Sequence, residues 1–145
     1  MAIKPHRMGR LRKQCAAQDF SAVRCTVQDV CSQLTAYAVP PEAVENVELV
    51  LAEVMNNIAE HGCANSHIGN MYCIRWRRLK RYLYIQIEDS GPPLPLSLVI
   101  EAPLNCDPSS LPEGGFGWGL IHMISDQLRY KRRDNRNFLL LSFKI

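Results

Sequence analysis

The sequence predicts an α+β protein, a two-layer sandwich of a mixed, mostly antiparallel sheet with helices on one face. Three observations carry that expectation: apolar stripes at helical spacing before residue 62, a pair of alternating runs about a short basic turn with a second hairpin signal near the end, and the order helix, helix, hairpin, lid, helix, hairpin. A chain of 145 residues, 47% hydrophobic and 21% charged, has room for one domain and the apolar residues to fill its core. No apolar run reaches the roughly 18 to 20 residues of a membrane span, and the charged start leads into no apolar signal region. The expectation is a cytoplasmic protein with a basic tail over 1–19 and a single domain over 20–145.

The first helix is expected from Ser21 to Ala38, where Val23, Val27, Val30 and Leu34 recur at three- and four-residue steps and Ser21 is placed to cap. A second helix starts at Pro40-Pro41, since proline is tolerated in the first turn, and runs to Gly62. Its apolar stripe is Val47, Val50, Leu51, Val54 and Ile58, while Glu53, Asn57, Glu60 and His61 fall on another face. Alternating runs from Asn70 to Arg78 and from Tyr82 to Glu88 read as an antiparallel hairpin with one buried face. The stretch from about 92 to 117 carries Pro92, Pro93, Pro95, Pro103, Pro108 and Pro112, which exclude a long regular element, and is read as a lid. Glycines then open a short apolar helix, and a last hairpin turns at Asp134-Asn135-Arg136.

Net charge is +3 from 17 basic and 14 acidic residues, and the basic residues are grouped in the tail and near both hairpin turns. Those groups read either as surfaces for an acidic partner or as solvated turns. Six cysteines form no C-x-x-C pair, which fits reduced, packed thiols rather than a zinc site.

Three segments could carry chemistry. Glu53, Asn57, Glu60 and His61 form a row of polar groups in which Asn57 could offer a carboxamide oxygen to Mg²⁺ and Glu53 could act as general base; the alternative is a helix face in water. Asp89 ends a strand whose Leu83, Ile85 and Ile87 point inward, with Gly91 two residues on; it could read an adenine amino group, or simply close an Asx turn. The run Gly114-Gly115-Phe116-Gly117-Trp118-Gly119-Leu120 opens a helix, where bare amides and the helix dipole can meet phosphate, or it is a flexible connector.

In this order the three segments resemble the N box, G1 box and G2 box of the Bergerat-fold (GHKL) ATPases, over roughly Phe20 to Ile145. The length and the E-x-x-x-N-x-x-E-H spacing look most like the anti-sigma factor serine-protein kinases of bacteria. The resemblance implies Glu53 as catalytic base, Asn57 as magnesium ligand, Asp89 as the adenine-reading acid and Gly91 as the glycine beneath the base. It implies a nucleotide-binding set that adds Glu60, His61, Gly114, Gly115, Phe116, Gly117, Trp118, Gly119 and Leu120. The implied activity is ATP- and Mg²⁺-dependent phosphorylation of a serine or threonine on an anti-sigma antagonist, which competes with a sigma factor for the kinase.

Two departures bear on that reading. Between Asp89 and Gln127 there is no lysine or arginine, so cationic help falls to Mg²⁺, Arg24 or His122. The strand that the resemblance implies before the first helix is poorly visible in KQCAAQDF, which counts against a family-like homodimer, though a homodimer stays among the candidate partners. The alternative function is a nucleotide-gated module that sequesters a sigma factor or signalling partner without phosphotransfer. No helix bearing a phospho-accepting histidine fits the first 40 residues, as a sensor kinase would need, and nucleic acid is not the expected partner.

Overall fold

The computed structural model describes residues 8–15, 19–62, 70–100 and 115–145. Its elements are β1 (Met8–Cys15), α1 (Phe20–Ala36), α2 (Pro41–Asn57) with a π-helical turn Ile58–Gly62, β2 (Asn70–Leu79), β3 (Tyr82–Asp89), α3 (Leu96–Ile100), α4 (Gly115–Ile124), β4 (Gln127–Arg133) and β5 (Arg136–Lys144). The strands form one five-stranded sheet in the order β1-β2-β3-β5-β4. Every ladder is antiparallel, so the expected mixed sheet is antiparallel throughout the described residues.

The helices cover one face. Val23, Val27, Val30 and Leu34 of α1 and Val47, Val50, Leu51 and Val54 of α2 are buried in one cluster with Ile74 and Trp76, Leu83, Ile85 and Ile87, and Leu139, Leu141 and Phe143. Those of β2 and β3 are the inward members of the alternating runs, and those of β5 are sorted inward by the pleat. Fully burying each side chain of this size is worth about 1.5–3 kcal/mol before chain entropy is counted.

Helix α1 starts one residue before Ser21: Asp19 is the cap, its Oδ1 accepting from Ala22 N at 3.0 Å. It ends in a Schellman motif, with Val39 N donating to Leu34 O at 3.1 Å and Ala38 N to Thr35 O at 2.9 Å. Ala38 holds the left-handed conformation this requires, at φ 56°, where glycine is usual. The second hairpin closes with Asp134 and Asn135 at φ 50° and 57°, the I′ geometry that matches strand twist.

Two expectations are corrected. The basic N-terminal segment is not wholly a tail, because Met8–Cys15 pairs with β2 from Met8↔Arg77 to Cys15↔Asn70. Its inward side carries only Gly9, Leu11 and Lys13 among the described side chains, too little apolar signal to show as alternation. Gly9 sits against Trp76 where a Cβ would overlap the indole, and Lys13 reaches Asp29 of α1 at 3.0 Å, which raises the lysine pKa. Second, the α-helix stops at Asn57 and the chain widens into the π-helical turn rather than continuing to Gly62 as α-helix. Single π turns lie frequently at functional sites. The proline-rich stretch contains the short helix α3, whose Val99 is buried in the core; 101–114 of the expected lid lie outside the described residues, and its last positions, from Gly115, belong to α4 instead.

Candidate functional site

The end of α2, the end of β3 and the start of α4 supply the site. Glu53 and Asn57 are half-buried one turn apart on α2. A methyl group built on Gly117 would lie 2.5 Å from Glu53 Oε2, so the carboxylate rests against the first turn of α4 in space that only glycine leaves open. Two of the sequence segments therefore meet: the acid of the polar row and the glycine-rich run. The first-turn amides of α4 have no intrahelical acceptor, and the helix dipole adds positive potential there.

Asn57 Nδ2 is buried with no hydrogen-bond partner among the described residues. An unpaired buried amide costs about 1–3 kcal/mol, which sets Asn57 apart from an ordinary helix-surface residue. Among the described residues no three His, Cys, Asp or Glu side chains gather as a metal cage. The row does not extend as one buried face beyond Asn57. Glu60 and His61 stand on the π-helical turn with exposed side chains, 3.8 Å from each other.

Asp89 is 4% exposed and faces inward like Ile87 before it. Its Oδ1 accepts from Gly91 N at 2.8 Å and from Asn137 Nδ2 at 3.2 Å. The Asx turn considered from sequence is thus present, within a larger network. Asn137 Nδ2 also donates to Pro92 O at 2.8 Å, while Asn137 Oδ1 accepts from Arg132 at 2.8 Å and Tyr130 Oη at 2.7 Å. Arg132 reaches Gly91 O at 3.0 Å, and Leu94 N donates to Tyr130 Oη at 3.1 Å. Strands β4 and β5 thereby fix the carboxylate and the first residues after it. On the other side Tyr72 stands opposite Asp89 in the β2–β3 ladder, and its hydroxyl lies 2.6 Å from Thr26 Oγ1 of α1.

Sequence reasoning missed Asn137, Arg132, Tyr130, Tyr72 and Thr26. Their one signal was polar character at inward positions of amphipathic elements; the register Asp89↔Asn137 that gives it meaning is a tertiary fact.

Of the glycine run, Gly115 begins α4, Gly117, Gly119 and Leu120 are half-buried, and Gly114 lies outside the described residues, as does the side chain of Phe116. Trp118 is 3% exposed, its ring packed in the core cluster. Arg24 lines a groove between α1 and α2 with Glu48 and Asn56, and His122 is half-buried on α4.

The family model for the histidine kinase-like ATPase domain matches residues 16–143. The chain belongs to the histidine kinase-like ATPases. No curated protein matches it closely enough to narrow that assignment. The antiparallel sheet with its helical layer is the fold of this ATPase family, which makes the chain an ATP-binding domain. Among the described residues no helix is long and apolar enough to cross a membrane.

Proposed function

We propose that this histidine kinase-like ATPase is a serine/threonine protein kinase of the partner-switching type, a cytoplasmic anti-sigma factor that phosphorylates its antagonist. The observation that supports it best is the placement of Glu53 against Gly117, a base at the mouth of the phosphate-binding helix. In this reading Glu53 accepts the proton of the serine hydroxyl as its oxygen bonds to the γ-phosphorus and the bond to the ADP oxygen breaks. The first-turn amides of α4 hold phosphate oxygens, and buried Asp89 receives the adenine amino group. The orphaned amide of Asn57 fits a single oxygen ligand, since it can turn over within its own volume. Mg²⁺ held there would supply the positive charge that the glycine run lacks.

Thermal unfolding with and without Mg-ATP, in wild type and Asp89→Asn, tests the nucleotide site: ligand at 100 times its Kd stabilises by about 2.7 kcal/mol. The variant presents an NH₂ where an acceptor is needed and is expected to lose that shift. Acid-stable protein labelling from γ-labelled ATP, abolished by Glu53→Ala, tests the serine/threonine assignment, because phosphohistidine is lost in acid. A second reading, nucleotide-gated sequestration without phosphotransfer, is favoured by the absence of lysine and arginine between Asp89 and Gln127. It expects the thermal shift and no label.

A further inference from the structure

The helices cover one face of the sheet, and among the described residues the strands leave the other face without a helix. On that face Gln86, Phe138 and Leu140 floor a groove of about 470 Å³ along β3, β5 and β4, walled by Arg129, Lys131 and Arg133. Farther across, Arg75 and Arg136 grip Glu88 at 3.0 Å and 2.6 Å, and Arg10 lies beside them against Cys73. Arg77 and Lys144 occupy outward positions opposite Tyr84 and Tyr82. Glu88 is the one acidic side chain that the strands present here among the described residues, and two arginines already neutralise it. In the β4–β5 turn Asp134 pairs with Arg133 at 3.2 Å.

The face combines a half-buried apolar floor with a strong excess of cations. A second copy docked about a two-fold axis would set these cations against each other. Single-stranded nucleic acid would supply the charge, yet the exposed ring on this face, Tyr82, stands at the β2–β3 turn outside the groove, whose lining offers Phe138 and Leu140 as a half-buried floor rather than a row of stacking rings. A polypeptide segment carrying both carboxylates and apolar side chains satisfies wall and floor together.

We propose that this outer face of the sheet docks an acidic, amphipathic segment of a partner protein, its apolar side chains seated on Phe138 and Leu140 and its carboxylates paired with Arg129, Lys131 and Arg133. The surface lies across the sheet from Asp89, Glu53 and Asn57, so the proposal stands apart from the nucleotide reading.

The test is fluorescence anisotropy of the full chain with a labelled amphipathic peptide that has leucine on one helical face and glutamate on the other. Polyglutamate and oligothymidylate serve as comparisons. The peptide is expected to bind about tenfold tighter than polyglutamate and more weakly as salt rises. Arg129→Glu with Lys131→Glu, both exposed positions, is expected to weaken it at least about tenfold. The thermal shift with Mg-ATP should be unchanged in that variant, which separates failure of this face from failure of the nucleotide site. No binding at low salt, binding no tighter than polyglutamate, tighter binding of oligothymidylate, or a dimer that the same substitutions dissociate would each overturn the proposal.

Discussion

Replacing Gly117 by alanine separates stability from activity at one position. The added methyl would stand 2.5 Å from Glu53 Oε2, whereas ordinary contact begins at 3.4 Å, so the carboxylate must retreat by about 0.9 Å. The obstructing atom is the end of a flexible side chain, and the backbone at Gly117 has no positive φ, so the fold absorbs the change. Alanine is better than glycine by about 0.8–1.0 kcal/mol in a helix interior. Near the start of α4 roughly half of that gain is expected. For Glu53 as the base proposed above, a displacement of about 1 Å costs about 10²-fold in rate. Gly117→Ala is therefore expected to unfold at equal or higher denaturant while ADP release at saturating ATP slows about 100-fold. In a Glu53→Ala background the same change should do little more, because its effect runs through the missing carboxylate. Unchanged turnover in the single variant, or a full additional loss in the double, would refute the pairing of these two residues.

Three further outcomes are expected. Ala38→Gly should raise stability by about 0.5–1 kcal/mol in denaturant unfolding, since a left-handed alanine costs about 1–2 kcal/mol and glycine returns part of that as chain entropy. Gly9→Ala should destabilise by about 1–3 kcal/mol and alter tryptophan emission, because the methyl overlaps the buried Trp76 ring. Asn137→Ala should cost about 1–3 kcal/mol and weaken ATP binding measured by titration, as it removes the amide that ties Asp89 Oδ1 to Pro92 O.

The thiol of Cys31 gives a pH test. Burial, helped by Glu48, pushes its pKa up to about 11 from 9.0. Between those values the unfolded chain has lost the proton and the folded chain keeps it, so this group's contribution to stability is present below pH 9 and fades toward pH 11. Cys31→Ser should flatten that part of the stability profile.

The sequence alone determined the local elements and their buried sides. Valine and leucine at three- and four-residue steps fixed α1 and α2, and alternation fixed the inward residues of β3, because these periods are properties of one chain segment; the apolar run Phe138–Leu141 of β5 left its inward side to the β3–β5 register. It also marked Glu53, Asn57, Asp89 and Gly117, whose residue types and order survive without coordinates. Tertiary structure decided what touches what. β1 became a strand because β2 offered it an edge and Trp76 needed the bare backbone of Gly9. Asn137, Arg132 and Tyr130 joined Asp89 only through the β3–β5 and β4–β5 register, and Glu53 met Gly117 only when α4 packed on α2. The charged outer face likewise arose from strands whose arginines lie far apart in sequence, since a pleated sheet sorts alternate residues of every strand onto a common side.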